Sequence, residues 1–154
     1  MTRTTARQLA VQLSFAVSAG SSFGPEDFLE EDFFRSLPAE ESMTSELPDP
    51  AQKEYICALV NGIRDRRDEL DGYISRYSRG WKISRISRTA LSVLRCAIYE
   101  ILYMPDISDA ASVNEAVELA KKFDEPETVS FINGILGSFL RERDASVSGK
   151  ENEP

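Results

Sequence analysis

The chain has 154 residues, with 18 Lys and Arg, 26 Asp and Glu and no His, for a net charge of −8. That length suits one domain with its own core. No apolar run nears the roughly 20 residues of a membrane span, and the absence of His removes His-based triads, general acids and metal ligands together. Cys57 and Cys96 alone fall short of a four-ligand zinc set, and the acidity argues against indiscriminate coating of duplex DNA.

The first predicted helix runs from about Thr5 to Ala19. Arg3 and Arg7 stand ahead of Leu9-Ala10-Val11, as in a secretory signal, but Gln8, Gln12 and Ser14 break the apolar stretch. A cytoplasmic location follows as the expectation, with both cysteines reduced and acting as small core residues. Thr5 and Gln8 have the spacing of a capping box, and Ala6, Leu9, Leu13, Ala16 and Val17 share one face. A short acidic helix begins at Pro25, with Phe28, Leu29, Phe33 and Leu37 as its apolar side. Residues 38–50 carry three prolines and read as a loop. Asp49 and Pro50 then open a third helix. Ile56, Leu59, Val60, Ile63, Leu70, Ile74 and Tyr77 hold one face until near Gly80.

A fourth helical pattern, Ile83 to Ile101, stops at Met104-Pro105. Ser112 and Glu115 have capping-box spacing and open a helix through Phe123. The last helix starts at Pro126 and buries Phe131, Ile132, Ile135, Leu136 and Phe139. Asn133-Gly134 falls inside that pattern, so it is no hairpin turn. The fold class expected is all-α, a compact bundle of about six to seven helices spanning 1–143, with residues 144–154 a disordered polar tail.

Charge is distributed unevenly. Residues 1–23 carry +2, 24–54 carry −8, 55–104 carry +4 and 105–154 carry −6. On a helical wheel with Leu9 at zero, Arg3, Arg7, Val11 and Phe15 fall at about 120°, 160°, 200° and 240°. Two guanidiniums in line with a ring suit single-stranded RNA, the cations meeting phosphate and the ring stacking on a base. The plainer reading is that Phe15 packs under another helix and both arginines are solvated; on the stripe alone it is the favoured one. Arg76, Arg79, Lys82, Arg85 and Arg88, with Tyr77 and Trp81 among them, form a second basic segment. They cannot share one face of a continuous helix, so they read either as an anion or partner contact around a helix–helix turn or as a solvated turn anchored by Trp81. The paired carboxylates, Glu30-Glu31-Asp32 and Glu40-Glu41, have nothing near them in sequence to raise a pKa. No phosphate loop or nucleophile elbow occurs. The expectation is a protein that is not an enzyme and uses no cofactor or metal.

Three blocks carry a family resemblance: Ala6-Arg7 with Ala10-Val11-Gln12, LRCAIYEIL at 94–102, and VNEAVELAKKF at 113–123 followed by FINGIL at 131–136. The chain resembles the bacterial transcription antitermination factor NusB family over about residues 3–141. That resemblance implies two three-helix subdomains. It also implies binding of boxA-type single-stranded nascent RNA jointly with the small-subunit ribosomal protein NusE, within an RNA polymerase antitermination complex that serves ribosomal RNA operons. No membrane partner is expected.

Matched residue by residue, the resemblance makes Arg3, Arg7, Phe15, Lys121, Glu127 and Phe131 the RNA-binding candidates, and Arg85, Arg88 and Ala90 the partner-binding ones. It lifts the helix-one stripe to the favoured reading. Thr4 and Thr5 stand where the family often has arginines, and Ala90 stands at a position that is typically acidic. The competing reading is a helical interaction module that kept the fold without RNA binding.

Overall fold

Every regular element is an α-helix among the residues that the computed structural model describes, 2–16, 24–30, 48–78 and 85–151. In chain order they are α1 (Arg3–Ala16), α2 (Pro25–Phe28), α3 (Pro50–Asp65), α4 (Arg67–Tyr77), α5 (Arg88–Tyr103), α6 (Asp109–Phe123) and α7 (Pro126–Glu151). The chain divides into two units, Met1–Arg67 and Asp68–Pro154. None of these helices is long and apolar enough to cross a membrane.

In the first unit α1 and α2 both pack on α3. Ala6, Leu9, Ala10 and Leu13 of α1 are buried, as are Ile56, Leu59, Val60 and Ile63 of α3. The start of α3 is the one the sequence predicts. The Asp49 carboxylate accepts from the Gln52 N–H at 2.8 Å, and the Gln52 side chain accepts from the Asp49 N–H at 3.0 Å, with Pro50 at the first helical position. The start of α1 is not. Thr2, not Thr5, accepts the capping hydrogen bond, from the Thr5 N–H at 3.1 Å, so Arg3 opens the helix. Of the expected apolar side of α2, Leu29 is buried; Phe33 and Leu37 lie outside the described residues.

The long third helix of the sequence reading is two helices. The chain leaves α-helical geometry at Arg66 (φ −117°, ψ 22°), whose N–H donates to the Gly62 carbonyl. Asp68 and Glu69 then occupy the first turn of α4, where carboxylates favour the helix dipole. Ile63 and Leu70 lie seven residues apart, two turns, so the apolar pattern stays in phase across the break and hides it.

In the second unit α5 packs on α6 and α7, and α6 packs on α7. Leu94, Ile98, Ile132, Ile135 and Leu136 are among its largest fully buried side chains. Polar links tie α4 to its neighbours. Arg95 grips Asp71 with two hydrogen bonds of 2.7 and 2.9 Å, and the Tyr103 hydroxyl donates to Glu69 at 2.6 Å. Arg143 of α7 pairs with Asp109 of α6 at 3.1 Å.

In this unit two more helix starts differ from the sequence reading. Ser87 caps α5 through the Ala90 N–H at 3.1 Å, so the helix begins after Ile86 rather than near Ile83. Ser108, not Ser112, caps α6, accepting from the Ala111 N–H at 3.1 Å. Ser112 is buried one turn inside, and its hydroxyl donates at 3.0 Å to the carboxylate of Glu100, which is 0% exposed. A serine with a glutamate three residues later is therefore a core hydrogen-bond donor here, because Glu100 needs one. The backbone of α7 is helical to Glu151, past the predicted tail boundary at residue 143.

Candidate functional site

The first helix offers less surface than its wheel implies. Ala6, Arg7, Leu9, Ala10, Val11 and Leu13 are all buried, spanning about 200° of the wheel. Arg7 is 2% exposed. Of the stripe, Arg7 and Val11 are thus not on a solvent face. Two small residues, Ala6 and Ala10, are buried beside the Leu9–Leu13 ridge, and burial continues past them to Arg7 and Val11. Arg3 is exposed at the first turn. Phe15 lies in the last turn of α1, its side chain outside the described part.

The second unit gathers several of the expected residues. Arg85, Ala90, Glu127 and Phe131 line one cavity of about 210 Å³, together with Ile86, Ser87 and Thr128. It lies at the starts of α5 and α7, where Glu127 sits in the first turn of α7, favourably placed for the helix dipole. Residues that the resemblance divides between RNA and partner thus share a wall, with Glu127 and Phe131 from one set and Arg85 and Ala90 from the other. Arg88 is exposed at the first position of α5. Lys121 is exposed in the last turn of α6 and pairs with Glu118 at 3.2 Å, a surface pair of little energetic weight. Arg79, Trp81 and Lys82 of the basic segment lie outside the described residues.

Phe131 is half-buried and also lines a larger cleft of about 360 Å³, with Tyr77, Ser78, Gly134, Ile135, Ser138 and Arg141. Tyr77 is held firmly in place. Its hydroxyl donates to Glu142 at 2.6 Å. Its ring meets Phe139 edge-on, with centroids 6.3 Å apart. The Arg76 guanidinium lies 5.7 Å from the ring centroid and pairs with the same Glu142. Burial, then the hydrogen bond to Glu142 and its charge, push the Tyr77 pKa up, so the phenol remains a donor.

The sequence reading took Tyr77 as the end of an apolar stripe and as an aromatic of the second basic segment, and passed over Ser138 and Arg141. A signal was present: Phe131, Gly134, Ser138 and Arg141 recur at steps of three, four and three residues, one face of a helix. What the arrangement offers chemically is ring surface for stacking and a guanidinium for an anion. Among the described residues, no group of three His, Cys, Asp or Glu side chains could hold a metal ion.

Comparisons with known proteins agree with one another. The NusB family profile matches residues 4–141. A transcription antitermination protein NusB from Acetivibrio thermocellus is 47% identical over 100 residues, covering 65% of this chain and 69% of its own. One from Carboxydothermus hydrogenoformans is 41% identical over 137 residues, covering 89% and 91%. Among solved structures, T. maritima NusB superposes with a TM-score of 0.70 at 28% identity, covering 92% of each chain.

Proposed function

The chain belongs to the NusB family of transcription antitermination factors, and within that activity we propose that it binds boxA-type single-stranded nascent RNA together with the ribosomal protein NusE. The bound complex helps RNA polymerase read through termination signals in ribosomal RNA operons. The observation that carries this reading is Phe131, a half-buried ring lining two cavities that also hold Arg85, Glu127 and Arg141. A ring fixed by its helix yet open on one side stacks on an unpaired base with little loss of side-chain entropy. Arg3 and Lys121 supply exposed cations for phosphate, and Phe15 completes the RNA set. The exposed Arg85 and Arg88, with the buried Ala90 behind them, form the contact for NusE, where the cationic character favours acidic partner residues. No catalytic step belongs to this function.

Burial of Arg7 favours the competing reading, an interaction module without RNA binding, because it withdraws one of the two arginines of α1 from the RNA. A titration of the protein with a boxA-like single-stranded RNA, with and without NusE, decides between them. The RNA reading expects saturable binding that NusE tightens and that salt weakens over a small number of phosphates. Binding of NusE with no RNA affinity in either arm would establish the module.

A further inference from the structure

Gly134 occupies the interior of α7, where glycine is less favourable than almost any other residue. Packing among the described residues does not require it: a Cβ there would meet no described atom within 4 Å. Both Asn133 and Gly134 are exposed, so no described neighbouring helix needs the space. The bare backbone instead forms part of the cleft that Tyr77, Phe131, Ser138 and Arg141 line. Glycine inside a regular element with empty space above it suits the close approach of another molecule.

The rest of the cleft defines what that molecule is. Tyr77 and Phe131 supply aromatic surface, and Tyr77 is held by Glu142 and Phe139 before anything binds. Among the described lining residues Arg141 carries the one formal charge, and it is exposed, its guanidinium donating to the Ser138 hydroxyl at 3.1 Å. The volume of about 360 Å³ is within the range of sites that take a small molecule. Aromatic walls, bare backbone at Gly134 and, among the described lining residues, one guanidinium match a heteroaromatic ring bearing a phosphate.

We infer that this cleft holds one nucleotide of single-stranded RNA, the base against Tyr77 and Phe131, the sugar-phosphate backbone over Gly134, and the phosphate at Arg141. The inference rests on the RNA-binding reading and extends it along α7, to residues that the resemblance did not supply. Gly134 acts by leaving room, and Arg141 by neutralising charge.

The test is a fluorescence-anisotropy titration with a boxA-like single-stranded RNA, with and without NusE, on Gly134→Leu, Arg141→Gln, Arg141→Lys and Phe131→Ala, each with its melting temperature. Gly134→Leu introduces a good helix former into open space. It is expected to melt at the same or a higher temperature while RNA affinity falls tenfold or more. Arg141→Gln is expected to weaken binding about fivefold and to flatten the salt slope by about 0.7, the contribution of one phosphate on a single strand; Arg141→Lys keeps the slope. Wild-type affinity in Gly134→Leu overturns the inference. If Phe131→Ala weakens binding while the Gly134 and Arg141 variants do not, the RNA-binding reading stands and the cleft assignment falls. If the wild-type protein binds no RNA with NusE present, both fall. Loss of NusE binding in Gly134→Leu, with RNA affinity in the absence of NusE unchanged, makes the cleft a protein contact and also overturns the inference.

Discussion

The first and last helices carry the same kind of sequence signal and turn out differently. In each, residues outside the main apolar stripe point to nucleic acid, Arg3, Arg7 and Phe15 in α1 and Phe131 in α7. In α1 the wheel fails at Arg7, which is 2% exposed. In α7 the wheel holds, because Phe131 is half-buried at the edge of the stripe. The difference lies in the small residues. Ala6 and Ala10 beside the α1 ridge are buried, and burial continues round the helix to Arg7 and Val11. In α7 the corresponding small residue, Gly134, is exposed, with no described atom within 4 Å of where a Cβ would stand. A wheel reports how one helix is patterned, and the number of surfaces packed against it decides how much of that pattern reaches solvent.

The largest effect expected from this contrast is on Arg7. Arg7→Ala removes a buried charged side chain that its surroundings engage. It should destabilise the fold by about 3 kcal/mol or more, whereas Arg3→Ala at the exposed first turn should change stability by less than about 0.5 kcal/mol. Chemical denaturation of the two variants compares them directly. If Arg7→Ala folds as stably as Arg3→Ala, the first helix does present its arginines to solvent and the contrast collapses.

Next comes Phe131. Phe131→Ala should weaken binding of a boxA-like RNA by about 1–3 kcal/mol, roughly five- to 150-fold, while a fully buried neighbour, Ile132→Ala, should lower stability by about 2–5 kcal/mol. RNA affinity and melting temperature measured on both variants separate the exposed edge of α7 from its core. Unfolding of Phe131→Ala would place the ring in the core along with Ile132.

A smaller loss is expected at the buried Ser112–Glu100 pair. Ser112→Ala leaves the Glu100 carboxylate without that donor and should cost about 1–3 kcal/mol. A variant as stable as wild type would mean that other donors satisfy Glu100.

The smallest effect is at Asp124, the C-terminal cap of α6. Burial, then the charge of Glu125, push its pKa above the ordinary 3.8. One carboxylate oxygen is buried with no hydrogen-bond partner, and a negative charge at a helix C-terminus opposes the dipole. A raised pKa in the folded state means that the fold prefers the protonated acid. The associated stability is therefore fully present below pH 3.8 and lost as pH rises through the higher folded value. Asp124→Asn should raise the melting temperature at pH 7 and leave it nearly unchanged below pH 3.8. An equal shift at both pH values would mean that the effect is packing rather than charge.

The amino-acid sequence determined that this protein is all-α, where its apolar faces lie, and where α3 and α7 begin, because 3.6-residue periodicity, Asp49-Pro50 and Pro126 are local signals that act within one helix. It also carried the family, since the blocks at 94–102, 113–123 and 131–136 survive as contiguous strings. It could not reveal the break at Arg66, because Ile63 and Leu70 remain in phase across it. Nor could it assign Ser112, whose capping-box spacing is identical whether the hydroxyl faces its own helix or a carboxylate twelve residues away. Tertiary structure alone decided that Arg7 is interior, that Glu127 and Phe131 share a wall with Arg85 and Ala90, and that Tyr77, Gly134 and Arg141 line one cleft. Each of these depends on which helix covers which face, a relation between distant segments that no periodicity within a single segment encodes.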